Sequence, residues 1–378
     1  MKKILMLMES RASYGYSKNL IYILKKKKNF KISTLVTGTH VSKKLGDSIK
    51  DITNDQIKID YIFRFNSNPE KITESIGGII IKTNKIIRKF KPNLAFIFGD
   101  RIELIGFAIS CVYNDIPVAH VQAGDKSGHI DDITRMALAK LVHIHFPATE
   151  TAKKRLIKMG EEKFRIFKVG APQLDNINYS KLIKDKNIKI ENINFDLKKE
   201  KYIILLQHSV FQDKENYGMI FERSILACLK TRYKIIIIYP NYDPGYERII
   251  DKIDYYKKKY SNRIIVLKHL ERLSFLKLLA NSKCLVGNSS SGILESPSLK
   301  IGVVNVGDRQ SGRECNSNIF HSDYKISNIY KKINKAIIVK KKLIGTKNIH
   351  GDGNSSKRIS NILEKIDFKK FLNKKTTY

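Results

Sequence analysis

Charged side chains recur directly after short apolar runs in this chain, where they suit a sugar ligand or proton transfer. Asp100 and Arg101 follow one run, Asp125 follows the next, and Asp131 and Arg135 come a few residues later. Carboxylates that lie close together repel one another and lower the stability of the fold, so such a cluster usually serves a cation, a sugar or proton transfer. The spacing of Asp131 and Arg135 equally fits an ion pair between helix residues four apart, so both interpretations stay open here.

A second set of side chains suits a phosphate. Arg11 lies in a polar turn after the first apolar run, where a guanidinium and the backbone amides of a helix N-terminus would attract an anion. A helix cap with an exposed arginine fits this turn equally well. The chain contains neither the GxGxxG pattern of dinucleotide sites nor the GxxxxGK[ST] pattern of P-loops.

The Gly- and Ser-rich run Gly287–Gly292 offers amides and hydroxyls ahead of a predicted helix, Ile293–Leu299. A helix N-terminus of this kind suits a pyrophosphate, and Glu295 could accept hydrogen bonds from ribose hydroxyls. Arg309 and Arg313 follow the next apolar run. The serines could act as simple helix caps, but the two arginines favour phosphate binding.

Alternating strand and helix signals predict the elements that position these residues. The apolar runs of the first half are strand-length and rich in β-branched residues, as in buried parallel strands. They lie at Ile4–Met8, Ile32–Val36, Leu94–Phe98, Val118–Val121, Ile144–Phe146 and Ile166–Val169. Amphipathic stretches predict helices over Ser17–Leu24, Ile76–Phe90, Ile102–Tyr113 and Thr134–Leu141. This alternation indicates βαβ units, in which ligands bind beyond the carboxyl ends of the strands.

The pattern restarts after a polar interval, Asn176–Lys201. The new strand candidates are Tyr202–Leu206, Ile235–Tyr239, Ile264–Leu267, Cys284–Val286 and Val303–Val306. We therefore predict an α/β protein with two Rossmann-like, doubly wound domains joined near Gly170–Pro172. The expected boundaries are 1–171 and 172–355, with a C-terminal helix over 356–378 that packs back on the first domain.

Basic residues outnumber acidic ones by 71 to 36, which gives a formal net charge of +35. Such an excess can indicate a nucleic-acid or anionic membrane partner. The basic residues are scattered, however, and a lysine surplus with many isoleucines and asparagines is typical of codon bias. At 42% hydrophobic and 28% charged residues the composition is globular, and we expect neither nucleic-acid binding nor membrane insertion.

The cysteines and histidines show no metal-binding spacing. The four cysteines are far apart, as expected for reduced thiols of a cytoplasmic protein. His143 and His145 share one strand face, an arrangement that is more often structural or exposed than metal-binding. The sequence therefore predicts no metal, no cofactor and a cytoplasmic location.

In order along the chain, the polar segments after the strands resemble the motifs of the hydrolysing UDP-N-acetylglucosamine 2-epimerases, which include enzymes of sialic and legionaminic acid synthesis. The motifs are SRASYG (10–15), TGTH (37–40), GDRIE (99–103), HVQAGDKSGHIDDITR (120–135), LQH (206–208), PNYD (240–243), GNSSSGILE (287–295), GDRQSGRE (307–314) and HGDGN (350–354). The resemblance covers nearly the whole chain. It implies a GT-B fold, with a nucleotide sugar in the cleft between the two domains.

The matching motifs carry over the family's functional positions. Its catalytic acids correspond to Asp100 and Asp131. The residues expected to contact substrate are Arg11, Arg101, Arg135, His208, Asn241, Ser289, Ser290, Glu295, Arg309 and Arg313, with the diphosphate held mainly by the second domain. The family is thought to eliminate UDP to a 2-acetamidoglycal and then add water, without metal or cofactor. Its members are often dimers or tetramers, so we expect a homodimer or homotetramer.

Five positions near the expected sugar depart from the family pattern. Gln122 replaces a glutamate that acts in the reaction, and glutamine cannot exchange a proton at working pH. Asp125 replaces a glutamate, Met136 a histidine, Ser13 an acid and Glu9 a small residue. Because they occupy positions of the family motif that face the sugar, Gln122 and Asp125 stay among the candidate catalytic residues. The expected substrate is a UDP- or GDP-activated sugar of the N-acetylglucosamine or N,N'-diacetylbacillosamine type, and the alternative is a GT-B glycosyltransferase or a nucleotide-sugar-binding homologue.

Overall fold

The computed structural model describes residues 1–41, 49–66, 71–127, 131–184, 200–210, 216–241, 243, 245–268 and 270–377. Much of the polar interval expected over Asn176–Lys201 lies outside these ranges. The chain divides into two compact units. Unit 1 comprises Met1–Lys126, Ile130–Asn176 and His350–Tyr378, and unit 2 comprises Ser127–His129 and Ile177–Ile349. None of the described helices is long and apolar enough to cross a membrane.

Within the described ranges, each unit contains one six-stranded parallel sheet. The strands of unit 1 are Lys2–Met8 (β1), Phe30–Val36 (β2), Tyr61–Ile62 (β3), Leu94–Phe98 (β4), Val118–Val121 (β5) and Ile144–Phe146 (β6). The strands of unit 2 are Tyr202–Leu206 (β7), Lys234–Ile238 (β8), Ile264–Leu267 (β9), Cys284–Gly287 (β10), Gly302–Val306 (β11) and Ile319–Ser322 (β12). The strand orders are β3-β2-β1-β4-β5-β6 and β12-β11-β10-β7-β8-β9. The predicted α/β class with two doubly wound sheets is confirmed.

Helices lie between successive strands of the described chain, except between β11 and β12. They are Arg11–Lys25 (α1), Ile49–Asn54 (α2), Ile72–Phe90 (α3), Glu103–Val112 (α4), Asp131–Leu141 (α5), Glu150–Lys158 (α6), Tyr179–Lys184 (α7), Tyr217–Leu229 (α8), Tyr246–Lys259 (α9), Arg272–Asn281 (α10), Ser290–Leu294 (α11), Ile326–Val339 (α12) and Ser355–Lys365 (α13). The four helices predicted in the first half lie within or largely overlap α1, α3, α4 and α5.

Two predicted elements are wrong, and the C-terminal helix expected over 356–378 ends at Lys365. Ile166–Val169 is not a strand; it forms a single bridge, between His145 and Ile166, before the chain turns at Gly170. The helix predicted over Ile293–Leu299 ends at Leu294 instead. Pro297 lacks an amide hydrogen and disfavours helical geometry in the residue before it, which explains the early end.

Alternate residues of each central strand enter different cores, because side chains alternate across a parallel sheet. In β1, Ile4 and Met6 pack on the side of α1 and α13, whereas Leu5 and Leu7 pack on the side of α3 and α4. Both faces of the sheet are therefore covered.

The C-terminal segment completes unit 1. Ile359 and Leu363 of α13 are buried in the core cluster that contains β1 and α1. The carboxylate of Asp175 accepts hydrogen bonds from the first two amides of α13, both at 2.8 Å. At the other end of the helix, the Lys2 ammonium donates to the Leu363 carbonyl at 2.7 Å. These contacts satisfy backbone groups that a helix leaves unpaired at its ends.

A buried ionic cluster holds the last residues of the chain in place. The Lys374 ammonium lies 2.7 Å from the Glu161 carboxylate and donates to the carbonyls of Ala139 and Val142 at 2.7 and 2.8 Å. His145 Nε2 lies 2.9 Å from the same carboxylate. Burial tends to raise the pKa of Glu161, but His145 and Lys374 together lower it to about 2. Glu161 therefore stays ionised and joins β6, the end of α5 and the C-terminus.

We expect Lys374→Met to lower the free energy of unfolding by about 2–4 kcal/mol, because it removes the nearer ammonium from the buried Glu161 carboxylate and leaves the more distant Lys140, at 3.5 Å. Lys370→Met is the matched control, since Lys370 lies in the same segment and is exposed. Urea denaturation followed by circular dichroism measures both variants. Equal stability of the two would contradict the structural role of Lys374.

We also expect the chain to lose stability as pH falls from about 6.5 towards 4. Burial lowers the pKa of His120 to about 3 and that of His143 to about 4, from 6.5. At these histidines the unfolded chain therefore binds more protons than the folded chain below pH 6.5, which lowers the free energy of unfolding. The pKa of Glu9, raised to about 8 by burial, acts in the opposite direction, but it is a single group against several buried histidines. Urea midpoints at pH 7.5, 6 and 5 measure this slope. In the wild-type chain the Val118 amide donates to His143 Nδ1 at 3.1 Å. His143→Asn keeps an acceptor for this amide and should make the stability less dependent on pH. An unchanged dependence would show that His143 does not contribute to it.

Candidate active site

The carboxyl edge of the first sheet contains a change of direction in strand order between β1 and β4, where open α/β sheets bind their ligands. The turn after β1 is closed by a capping box in which the Ser10 side chain accepts from the Ser13 amide and the Ser13 side chain accepts from the Ser10 amide. Arg11 is the first residue of α1 and is exposed. Its backbone is thereby fixed while its side chain stays accessible.

A buried pair of carboxyl groups lies beside this turn. Glu9 and Glu103 are each only 1% exposed, and Arg101 Nε lies 3.4 Å from Glu103 Oε1. Burial and the neighbouring Glu103 raise the pKa of Glu9 to about 8. Gly38, at φ +59°, allows this approach, because a Cβ there would lie 2.3 Å from the Glu9 carbonyl oxygen and 3.0 Å from Glu103 Oε1. Glu9 is therefore protonated at neutral pH.

Arg135 links the tips of β4 and β5 to α5. Its guanidinium pairs with the Asp100 carboxylate through Nη2, and Nη1 lies 3.1 Å from Asp132 Oδ1. Nη1 also donates to the Asp125 carbonyl at 3.0 Å. The Arg135 side chain is 1% exposed, whereas that of Asp100 is 22% exposed. The carboxylate thus faces solvent on one side while a buried cation holds it on the other.

Two further side chains, one in β5 and one directly after it, make buried hydrogen bonds. His120 Nε2 lies 2.6 Å from the Gly99 carbonyl oxygen. Because burial keeps this histidine neutral, Nε2 carries the proton and donates it to that oxygen. Gln122 has a left-handed backbone conformation, φ +62°. Its side-chain amide nitrogen, Nε2, donates to Gln173 Oε1 at 3.0 Å. The residue after β5 is therefore held in an uncommon conformation by a buried amide pair.

The structure thus places Asp100, Gln122 and Asp125 after neighbouring strands of one sheet, together with Arg101 and Arg135. Asp131 begins α5, and its side chain lies outside the described part of the chain.

In unit 2 the strand order changes direction between β7 and β10. His208 follows β7 and is held from both neighbouring strands. Its backbone amide donates to Asn288 Oδ1 at 2.7 Å, and Asn288 Nδ2 donates to the His208 carbonyl at 2.9 Å. From the other side, the exposed residue Asn241 donates its backbone amide to His208 Nδ1 at 2.9 Å.

These contacts determine the protonation of His208. Burial and the nearby Arg309 hold the pKa of His208 well below 6.5, so the ring is neutral. Since Nδ1 accepts the Asn241 amide, the single ring proton lies on Nε2. His208 is thus a neutral histidine whose Nε2–H is fixed as a hydrogen-bond donor at the carboxyl edge of the sheet.

The serine run lies directly beside it. Ser289 occupies the N-cap of α11, yet its side chain makes no capping hydrogen bond, and Ser290 is the first, partly exposed residue of the helix. Gly287, at φ +130°, allows β10 to pass close to β7, because a Cβ there would lie 2.0 Å from the Leu206 carbonyl oxygen. The capping interpretation of Ser289 therefore has no support from its side-chain contacts.

The basic and acidic residues of the second edge flank this turn. Arg309 Nη1 donates to the Asn288 carbonyl at 3.1 Å. Arg313 has two buried guanidinium nitrogens, Nε and Nη1, without a hydrogen-bond partner among the described residues. Glu295 is 3% exposed and pairs with Arg272 at 2.7 Å; within the described ranges its Oε2 has no hydrogen-bond partner. These buried polar atoms therefore have hydrogen-bonding capacity that the described part of the chain leaves unused.

Sequence reasoning missed three residues that order these edges: His120, Gln173 and Asn288. Their partners are distant in sequence, so no local pattern identifies them, although His120 and Asn288 lie inside the recognised motifs. It also missed a cavity of about 370 Å³ at the ends of β11 and β12, which is lined by Gly307, Asp308, Ser311, His321, Ser322, Asp323 and Tyr324.

The chain matches a known family over most of its length. Residues 23–364 match the family described as UDP-N-acetylglucosamine 2-epimerase. The UDP-N,N'-diacetylbacillosamine 2-epimerase (hydrolyzing) of Legionella pneumophila is 35% identical, over 100% of both chains. The UDP-N-acetylglucosamine 2-epimerase of Neisseria meningitidis serogroup B is 32% identical, over 89% of this chain and 88% of that protein.

A solved structure shows the same fold. The crystal structure of UDP-GlcNAc 2-epimerase from Neisseria meningitidis bound to UDP-GlcNAc superposes with a TM-score of 0.80 at 19% identity, covering 96% of this chain and 100% of that one. The resemblance inferred from the sequence motifs is confirmed, and the chain belongs to the UDP-N-acetylglucosamine 2-epimerase family.

Proposed function

We propose that this protein is a hydrolysing 2-epimerase that converts a UDP-activated 2-acetamido sugar and water into UDP and the free 2-epimer. The observation that carries this proposal is the 35% identity, from end to end, with a relative named as a hydrolysing epimerase. The free 2-acetamido-mannose-type product would enter the synthesis of nine-carbon sugar acids, as the sequence motifs led us to expect.

The edge of unit 2 supports the first half of the reaction, in which the C1–O bond breaks and UDP leaves. The Nε2 proton of His208, the hydroxyls of Ser289 and Ser290, and Arg309 would bind the diphosphate. Such donors stabilise the negative charge that develops on a leaving diphosphate. Glu295, with one carboxylate oxygen already bound by Arg272, would accept hydrogen bonds from the ribose.

The edge of unit 1 supports the second half. Departure of UDP gives C1 oxocarbenium character, which makes the C2–H bond acidic enough for a carboxylate to remove the proton. This elimination leaves a 2-acetamidoglycal, to which water adds at C1 while a proton returns to the opposite face of C2. We assign these proton transfers to Asp100 and Asp131. Gln122 cannot take part in them, because its side chain is an amide that is bound to Gln173.

The two relatives described above are named for different sugars, so an experiment must identify the sugar that this protein uses. N,N'-Diacetylbacillosamine carries an acetylated amino group at C4, whereas N-acetylglucosamine carries a hydroxyl there. We propose the UDP-N,N'-diacetylbacillosamine type first, because that relative matches the larger share of the chain. The homodimer or homotetramer and the cytoplasmic location expected from the sequence stay predictions.

Incubation with each UDP-sugar, and with the GDP analogue, in D2O tests the proposal. We expect release of UDP without any acceptor and a free 2-epimer that carries deuterium at C2. Asp100→Asn should lower kcat at least 100-fold, since general acid–base catalysis contributes about 10²–10⁴-fold. UDP release only with an added acceptor would instead indicate a glycosyltransferase, and tight binding without turnover would indicate a binding protein.

The protonation of His208 gives a sharper prediction for the nucleotide site. His208→Asn keeps an acceptor where Nδ1 now binds the Asn241 amide but removes the Nε2 donor. We expect the affinity for UDP to fall about tenfold or more, because a hydrogen bond to a charged group is worth about 1.5–3 kcal/mol. Isothermal titration calorimetry measures this change, with His143→Asn as the control. Unchanged affinity in His208→Asn would show that Nε2 does not bind the diphosphate.

A further inference from the structure

Arg135 was expected, from its position in the family motif, to bind substrate. Its environment indicates a different task. The side chain is 1% exposed, and both terminal nitrogens already bind groups of the protein: Asp100, Asp132 and the Asp125 carbonyl. A guanidinium that binds substrate needs an accessible face, whereas this one is enclosed by three segments of unit 1.

We propose that Arg135 is a positioning residue that acts on the reaction through Asp100. The proposal rests on the function proposed above, in which Asp100 exchanges protons with the sugar. Asp100 follows β4 in a short turn before α4, where its carboxylate, 22% exposed, could otherwise adopt several rotamers. The ion pair with Arg135 restricts it to one orientation.

The geometry of the contacts explains why an arginine stands here. Arg135 lies one turn after the start of α5, so its backbone is fixed by the helix. The planar guanidinium directs Nη2 to Asp100 and Nη1 to Asp132 and to the Asp125 carbonyl. A lysine ammonium is a single point charge and cannot hold these diverging acceptors in fixed directions. The guanidinium thus ties the turn after β4, the loop after β5 and α5 into one rigid unit.

A misplaced catalytic group costs rate more than binding, since a shift of about 1 Å can lower a rate about 100-fold. We therefore expect Arg135→Gln to lower kcat about 100-fold while KM changes less than threefold. Arg135→Lys should recover only part of the loss. The affinity for UDP should stay unchanged in both variants, because the residues assigned to the diphosphate belong to unit 2.

A double-mutant cycle separates positioning from general destabilisation. If Arg135 acts through Asp100, the Arg135→Gln change should have little further effect on kcat once Asp100→Asn is present. The matched control is Arg165→Gln. Arg165 is also a buried arginine of unit 1, bound to the carbonyls of Phe371 and Asn373, so its loss should lower stability but leave kcat of the folded enzyme unchanged.

The outcomes distinguish the inference from the function on which it rests. If the unmodified chain releases UDP from no sugar, the proposed function fails and the role of Arg135 fails with it. If the unmodified chain turns over and Arg135→Gln retains its kcat, or if the effects of Arg135→Gln and Asp100→Asn multiply independently, only the positioning role is wrong. Should Arg135→Gln not fold, the same cycle is measured with Arg135→Lys, whose positive charge still compensates Asp100 and Asp132 but does not fix the direction of the Asp100 carboxylate.

Discussion

The parallel pairing of the strands is the constraint on which both halves of this protein depend. Parallel strands bring all their carboxyl ends to one edge, and the chain reverses its direction across the sheet at β1 and β4 in unit 1 and at β7 and β10 in unit 2. At those two points the connecting turns diverge and leave room for a ligand. Residues that are far apart in sequence, such as Ser10 and Asp100, or His208 and Asn288, therefore follow adjacent strands.

Burial then determines which of these polar groups carry charge. His120 and His208 are neutral because the protein excludes water from them, and each has a single ring proton whose position is set by a backbone partner. Glu161 and Asp100 have cations beside them. The formal net charge of +35, by contrast, comes largely from exposed lysines, and only a few arginines lie at the two edges. Local desolvation matters more to the site than net charge does.

Much of the fold could be predicted from the sequence, because central strands buried on both faces must be apolar throughout. Strands β3 and β12 could not, since β3 has only two residues and β12 is partly exposed and contains polar residues. The positions of the site residues were predictable for the same reason as the strands: they follow apolar runs. Their partners were not, because the contacts of Arg135 with Asp100 and of Gln122 with Gln173 depend on which strands become neighbours. The burial of Arg135, which decides its role, has no local signature at all.

Unit 1 is assembled from both ends of the chain, and this has a consequence for biosynthesis. Lys2 caps the helix that begins at Ser355, and Lys374 neutralises Glu161 beneath the helix that carries Arg135. A chain emerging from the ribosome can complete the sheet of unit 2 while unit 1 still lacks α13 and exposes the apolar surface that Ile359 and Leu363 later cover. The segment with the candidate acids is thus the last to reach its final structure, although it is translated first. Loss of the final residues would impair the edge that carries Asp100 sooner than the edge that carries His208.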